Sequence, residues 1–140
     1  MEIRRALTGD RNRCLELLET LGGQVLPAAA DVFEQLLTSE RGAVLVAEHD
    51  DQIVGMISIS FNLAMRYGGE YSQLEELIVD PAARGLKAGG ALVQSAVDLA
   101  KARGCKESGL YLVASTEHNQ AFYEKYGYRR VGSEMRQALV

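Results

Sequence analysis

The fold is decided by residues 74–92, which read LEELIVDPAARGLKAGGAL. The apolar segment from Tyr71 to Val79 predicts a strand, and Asp80-Pro81 stops it because proline cannot donate to a sheet ladder. A long helix follows from about Ala88 to Arg103, with Gly104 at its C-terminal cap. A strand, a glycine-containing turn and a helix therefore form the central unit of the chain.

The rest of the chain reads as short strands and helices around this unit. Its helices are predicted from apolar residues at helical spacing and its strands from apolar, β-branched runs between turns. In chain order the further elements are a strand Ile3–Ala6, a helix with the stripe Cys14, Leu17, Leu18 and Leu21, a helix from Pro27, a hairpin of Ala43–Glu48 and Ile53–Phe61, a strand Ser108–Ala114, a helix Asn119–Tyr126 and a final strand from Tyr128 to about Leu139. The order βααβββαβαβ predicts a mixed α/β (α+β) fold in one domain, residues 1–140, with helices on both faces of a mostly antiparallel sheet of six to seven strands.

Composition excludes several classes of protein. Lys plus Arg number 15 against 19 Asp plus Glu, a net charge of −4, and 47% of residues are hydrophobic, as in a globular domain. The acidic balance argues against nucleic acid as a partner. The longest strictly apolar runs, Ala43–Ala47 and Leu110–Ala114, are too short to cross a membrane. The N-terminus lacks the basic residues followed by an apolar stretch that mark a secretory signal, so a cytoplasmic protein is expected.

The two cysteines and two histidines show no metal-binding pattern. Cys14 and Cys105 lie far apart, without CxxC spacing, and are predicted to be reduced thiols. His49 and His118 add no paired spacing, so no metal site is predicted.

The start of the predicted long helix is a candidate phosphate site. Unpaired backbone N–H groups and the positive end of the helix dipole attract anions there, and glycines allow a close approach. Arg84 and Lys87 add positive charge. The alternative is that the glycines only make a tight turn, since neither a Walker A motif nor GxGxxG is present.

A second informative stretch, residues 119–128, reads NQAFYEKYGY. Phe122, Tyr126 and Tyr128 are expected to pack the end of a short helix. The phenol of Tyr123 can instead donate a proton to a leaving group as a general acid.

Together these motifs resemble the GNAT superfamily of acyl-CoA-dependent N-acyltransferases. The likeness covers almost the whole chain, from the two early helices through LEELIVDP and RGLKAGG to FYEKYGY. In the family's pyrophosphate loop, Q/R-x-x-G-x-G/A, Arg84, Ala88 and Gly89 match, while Lys87 stands where the first glycine is expected. A lysine amide can still donate a hydrogen bond, but lysine does not easily adopt a glycine-only conformation.

The resemblance implies how acetyl-CoA binds. The amides of Gly85–Gly90 would hold the pyrophosphate, and the backbone of Leu77–Val79 would pair with pantetheine between splayed fourth and fifth strands. The family's pantetheine asparagine falls at Thr116 here, with Asn119 as the nearby substitute. The cofactor-binding residues implied are Leu77, Ile78, Val79, Arg84, Gly85, Leu86, Lys87, Ala88, Gly89, Gly90 and Asn119.

The implied reaction is acetyl transfer to a primary amine of a small molecule or peptide. An amine with a pKa of about 10.4 must lose a proton before it attacks. Strand alternation places Glu75 on the face of Leu77 and Val79 and Glu76 on the opposite face, with Leu74 and Ile78. One of the two glutamates is the expected base, whereas Tyr111, at the position some relatives use, is a poor base.

The predicted mechanism is direct attack in a ternary complex. An amide N–H from residues 77–79 stabilises the oxyanion, and Tyr123 protonates the thiolate. The competing mechanism is transfer through an acyl-cysteine. The acceptor pocket is expected from segment Gly22–Ala30, loop Ala64–Tyr71 and the last strand.

Two other functional classes stay open. The chain can be a catalytically inactive acyl-CoA-binding or regulatory module, or a structural protein whose final strand pairs with a partner. A homodimer is also left open.

Overall fold

The computed structural model describes residues 1–140. It contains five strands and four α-helices, joined in places by short 3₁₀ turns. In chain order these are β1 (Glu2–Arg5), α1 (Arg11–Glu19), α2 (Ala29–Thr38), β2 (Gly42–His49), β3 (Gln52–Ala64), β4 (Gly69–Val79), α3 (Ala88–Arg103), β5 (Ser108–Gly109) and α4 (Gln120–Glu124). None of the helices combines the length and the hydropathy needed to cross a bilayer.

The strands form one mixed sheet in the order β1-β2-β3-β4-β5. The first four pair antiparallel and β5 joins β4 in parallel. Apolar side chains of the sheet pack on both faces, against α3 on one and against α1 and α2 on the other. The mixed α/β class and the mostly antiparallel sheet are therefore confirmed.

The sheet has five strands rather than the predicted six or seven. The predicted final strand, Tyr128 to about Leu139, is wrong, because these residues form no regular element. Val131, Met135 and Leu139 share one face of an extended chain, but Ser133 and Gln137 lie between them, so pairing would bury polar side chains with the apolar ones. All three apolar side chains are exposed. The predicted strand Ser108–Ala114 is reduced to two residues.

Helix α3 matches the predicted bounds and packs through a slightly different stripe. Leu92, Val93, Ala96 and Ala100 are buried, whereas the predicted Ser95 and Leu99 are only half-buried. Gly104 ends the helix with a φ of 87°, the left-handed conformation that favours glycine.

A β-bulge interrupts β4 at Glu75. Ser58 of β3 pairs with Glu76, and the next residue, Ile59, pairs with Leu74, so Glu75 has no opposite residue. The extra residue restarts the alternation of β4. Leu74 consequently packs on the α3 face and Ile78 on the α1–α2 face. The expectation that these two share a face is wrong for this reason.

Beyond the bulge, one edge of β4 is free. Strand β5 pairs with β4 only at Ser72 and Gln73. No strand continues this pairing along residues 74–79, on the side of β4 that faces away from β3. The two strands thus meet at one end and leave an unpaired backbone edge at the other.

Candidate active site

A cavity of about 420 Å³ lies between α1, α2 and the sheet. Most of its lining is apolar, and Ser58 and Glu76 contribute polar groups from the sheet. Residues between Gly23 and Ala29, which belong to the segment predicted to build the acceptor pocket, form part of its wall. The loop Ala64–Tyr71 and the last residues of the chain do not line it. The volume is in the usual range for a small-molecule site.

The carboxylate of Glu76 is held in place by one neighbour. The Ser58 hydroxyl donates a hydrogen bond to Glu76 Oε2, and the Glu76 amide donates to Ser58 Oγ at 3.2 Å. Ser58 is 4% exposed, so this pair lies at the inner end of the cavity. Glu76 Oε1 has no hydrogen bond within the chain. It can therefore accept a hydrogen bond or a proton from a group in the cavity.

Glu75 lies elsewhere. Its side chain is exposed, accepts a hydrogen bond from the Ser60 hydroxyl at 2.6 Å, and does not line the cavity. The structure brings Glu76 to the cavity beside Ser58 and leaves Glu75 outside it, beside Ser60, one step further along the strands.

The start of α3 presents a row of free amides. The N–H groups of Gly85, Lys87, Ala88, Gly89 and Gly90 make no hydrogen bond within the chain, as expected before the first turn of a helix is complete. The side chains of Arg84 and Lys87 are exposed and make no ion pair. This loop can hold an anion such as a pyrophosphate.

Lys87 occupies a left-handed backbone conformation, with φ 58° and ψ 31°. It is the residue that stands where the family loop has its first glycine. An L-amino acid can adopt this region at a cost of roughly 1–2 kcal/mol. The lysine therefore adopts a conformation that a glycine would reach without this cost.

The turn before α3 is fixed by Asp80. Its Oδ1 accepts the Ala82 amide at 2.9 Å, and its Oδ2 accepts Arg13 Nη2 at 2.6 Å. The Ala82 amide and then Arg13 hold the pKa of Asp80 below its usual value. Since Arg13 also donates to the Ile53 carbonyl, α1 is joined to both β3 and the end of β4.

Phe122 of α4, and Tyr126 just after this helix, pack against the start of α3. A Cβ at Gly89 would touch Phe122 at 3.6 Å, and a Cβ at Gly90 would overlap the hydroxyl of Tyr126. Gly90 is therefore required for the close approach of Tyr126 to the first turn of α3.

Tyr123 is half-buried in this aromatic cluster. Its ring contacts Phe122 edge-on at 5.0 Å between centroids and Tyr128 at 6.2 Å. Its hydroxyl makes no hydrogen bond within the chain. Burial, and next the nearby Tyr128, raise the pKa of Tyr123. The phenol is therefore protonated at neutral pH, the state that a general acid requires.

The remaining predicted residues have ordinary surroundings. Asn119 precedes α4 and makes no side-chain hydrogen bond, whereas the hydroxyl of Thr116 bonds to the backbone of Val113. Tyr111 is exposed beneath Arg136.

Neither cysteine has the environment of a nucleophile. Cys14 lines the cavity, but burial, and next Asp10, raise its pKa to about 11. Burial also raises the pKa of Cys105. Both thiols are therefore protonated at neutral pH, which disfavours the acyl-cysteine route.

Ser58 and Arg13 were not identified from the sequence. Ser58 had a signal, because Ser58 and Ser60 interrupt an otherwise apolar strand at alternate positions. Arg13 had none, since its partner Asp80 lies 67 residues away in the chain.

Comparison with known proteins identifies the family. Residues 11–128 match the acetyltransferase (GNAT) family, so the chain belongs to that family. It is 28% identical to a glucosamine 6-phosphate N-acetyltransferase of Trypanosoma brucei brucei, over 97% of this chain and 94% of that protein. It is 26% identical to an aminoalkylphosphonate N-acetyltransferase of Salmonella typhimurium, over 99% and 91% of the two chains.

Among solved structures, the chain is similar to a transcriptional regulator from Bacillus halodurans. The TM-score is 0.87 and the identity 25%, and 99% of each chain is covered. The family match and the named relatives together make this chain an acetyl-CoA-dependent acetyltransferase. The predicted family and enzyme class are confirmed.

Proposed function

We propose that the protein transfers the acetyl group of acetyl-CoA directly to a primary amine bound in the cavity, with Glu76 as the general base. The observation that carries this proposal is the position of Glu76. It is the one charged side chain that lines the cavity, and it lies on β4 where the strand edge is free.

Acetyl-CoA fits the groups that surround this edge. The free amides at the start of α3 suit its pyrophosphate, with Arg84 and Lys87 adding charge. The unpaired backbone of Leu77–Val79 suits pantetheine, which would add to β4 like a further strand. This arrangement would place the thioester beside the inner end of the cavity.

The residues then have defined roles. Glu76 accepts a proton from the ammonium form, and the neutral amine attacks the thioester carbonyl. An amide N–H of Leu77–Val79 stabilises the oxyanion. The C–S bond breaks, and Tyr123 gives its proton to the departing thiolate. The attacking nitrogen gives up its second proton as the amide forms, and this proton balances the one that Tyr123 has lost. The products are the N-acetylated amine and free CoA, after Tyr123 is reprotonated and Glu76 loses its proton to solvent.

The experiment is the release of free thiol from acetyl-CoA, measured across a panel of amines. Turnover that disappears when Glu76 is replaced by Gln supports the proposal. Binding of acetyl-CoA by calorimetry, without turnover on any amine, would instead favour a non-catalytic module.

The role of Tyr123 is tested separately by Tyr123→Phe. Because its hydroxyl makes no hydrogen bond within the chain, we expect unchanged stability and a fall in kcat of about 10²-fold. Tyr128→Phe is the matched control, since it removes the hydrogen bond to Ser108 at 2.5 Å. That control is expected to lose roughly 1 kcal/mol of stability and to keep its turnover. Full turnover in Tyr123→Phe would remove Tyr123 from the mechanism.

A further inference from the structure

The acceptor cavity is apolar to a degree that restricts what it can bind. Its lining contains no arginine, lysine or histidine, and its single charged side chain is the carboxylate of Glu76. We propose that the acceptor is a primary amine carried on an apolar aliphatic or aryl group, without a phosphate or phosphonate. This inference rests on the proposed function, because it takes the cavity as the acceptor site.

A phosphorylated amine lacks a partner for its anionic group here. Burying a phosphate without a cation or a set of donors is costly, and the carboxylate of Glu76 would repel it. The arginines on α1 already have acidic partners. Arg13 bonds to Asp80 and Glu16, and Arg11 pairs with Glu34.

The start of α2 is the one helix N-terminus beside the cavity. Ala28 and Ala29 line the wall at this point. The first turn of α2 carries Asp31, whose carboxylate offsets the positive end of the helix dipole. This helix start is therefore poorly suited to a second anion.

The rim of the cavity favours an apolar ligand. Leu21, Leu26 and Val32 line it and are 58%, 71% and 49% exposed. An aliphatic or aryl group that entered the cavity would cover these side chains. Its ammonium would meet the carboxylate of Glu76 and the hydroxyl of Ser58 at the inner end.

The first test compares three acceptors by thiol release: 2-phenylethylamine, 2-aminoethylphosphonate and glucosamine 6-phosphate. We expect kcat/KM for 2-phenylethylamine to exceed both others by about 10- to 100-fold, the range that burial of one large apolar group gives. A preference for either anionic acceptor would overturn the inference and leave the proposed function intact.

Direct binding separates the two proposals. Calorimetry in the presence of CoA should detect 2-phenylethylamine and not 2-aminoethylphosphonate. If 2-phenylethylamine alone binds but is not acetylated, the apolar acceptor site is supported and the proposed reaction is contradicted. Equal binding of the two ligands, or binding of neither, would contradict the acceptor class.

A rim variant provides the second test. Val32→Arg introduces a cation at an exposed position, so folding should be preserved. We expect kcat/KM for 2-phenylethylamine to fall at least about 10-fold. The ratio of kcat/KM for 2-phenylethylamine to kcat/KM for 2-aminoethylphosphonate should fall as well. Thr38→Arg is the control, because Thr38 is exposed on the same helix and does not line the cavity. An unchanged ratio in Val32→Arg would contradict the inference.

Discussion

Replacing Lys87 with glycine should stabilise the protein. Lys87 has φ 58°, a conformation that costs an L-residue roughly 1–2 kcal/mol. Glycine avoids this cost but loses more backbone freedom on folding, about 0.5–1 kcal/mol. With the middle of each range, the expected net gain in the free energy of unfolding is about 0.75 kcal/mol.

The gain is measurable by thermal unfolding. An unfolding entropy of about 2.1 cal/mol/K per residue gives about 0.3 kcal/mol per degree for this chain. Lys87→Gly should therefore raise Tm by about 2–3 °C. Urea unfolding at constant temperature should show the same gain as a higher midpoint with an unchanged slope.

Lys87→Ala is the matched control. It removes the same ammonium group and keeps the backbone penalty, so its stability should stay within about 0.5 kcal/mol of the parent. The difference between the glycine and alanine variants isolates the backbone effect. A glycine variant no more stable than the alanine variant would refute a left-handed conformation at this position.

The same pair of variants tests the role of the lysine charge in acetyl-CoA binding. Both lack the ammonium, so both should bind acetyl-CoA more weakly by the same factor, about 2- to 5-fold at low salt. A loss in the glycine variant alone would assign the effect to the backbone instead.

Two further predictions concern the base and the first turn of α3. Glu76→Gln should lower kcat by about 10²–10⁴-fold and leave acetyl-CoA binding unchanged. The kcat of Glu75→Gln should stay close to that of the parent. Equal losses of kcat in both variants would contradict the assignment of the base. In urea unfolding, Gly90→Ala should be less stable than Gly89→Ala by about 2 kcal/mol. The new methyl group at position 90 overlaps Tyr126, whereas a methyl group at position 89 fits. Equal stabilities of the two variants would contradict the close packing of Tyr126.

The central unit could be predicted from the sequence because each boundary carries a strong local signal. Asp80-Pro81 ends β4, and Gly104 ends α3 with the positive φ that glycine favours. The hairpin of β2 and β3 was equally clear from its two apolar runs. These features depend on neighbouring residues, which a sequence displays directly.

The errors arise where structure depends on pairing between distant residues. The sequence of residues 128–139 does not reveal that this segment lacks a strand to pair with. The bulge at Glu75 is equally hidden, since its presence depends on how β4 aligns with Ser58 and Ile59 of β3. For this reason the sequence could not decide between Glu75 and Glu76, and the contact of Ser58 with Glu76 was missed.

Deleting Glu75 would test whether the bulge serves the active site. The deletion leaves Leu74 opposite Ile59 and Glu76 opposite Ser58, so both residues keep their faces and the pairing with β3 becomes regular. Since Glu75 is exposed, no buried contact is lost. We therefore expect a folded protein with a Tm within a few degrees of the parent.

Acetyl-CoA binding should nevertheless be lost. A bulge bends its strand, and this bend lies where β4 parts from β5. A straight β4 would let the chain after β5 continue the pairing and occupy the edge of residues 76–79. We expect at least about a 10-fold weaker Kd for acetyl-CoA by calorimetry. Glu75→Ala keeps the bulge and should bind as the parent does. If the deletion variant binds acetyl-CoA as tightly as Glu75→Ala, the free edge of β4 does not depend on the bulge.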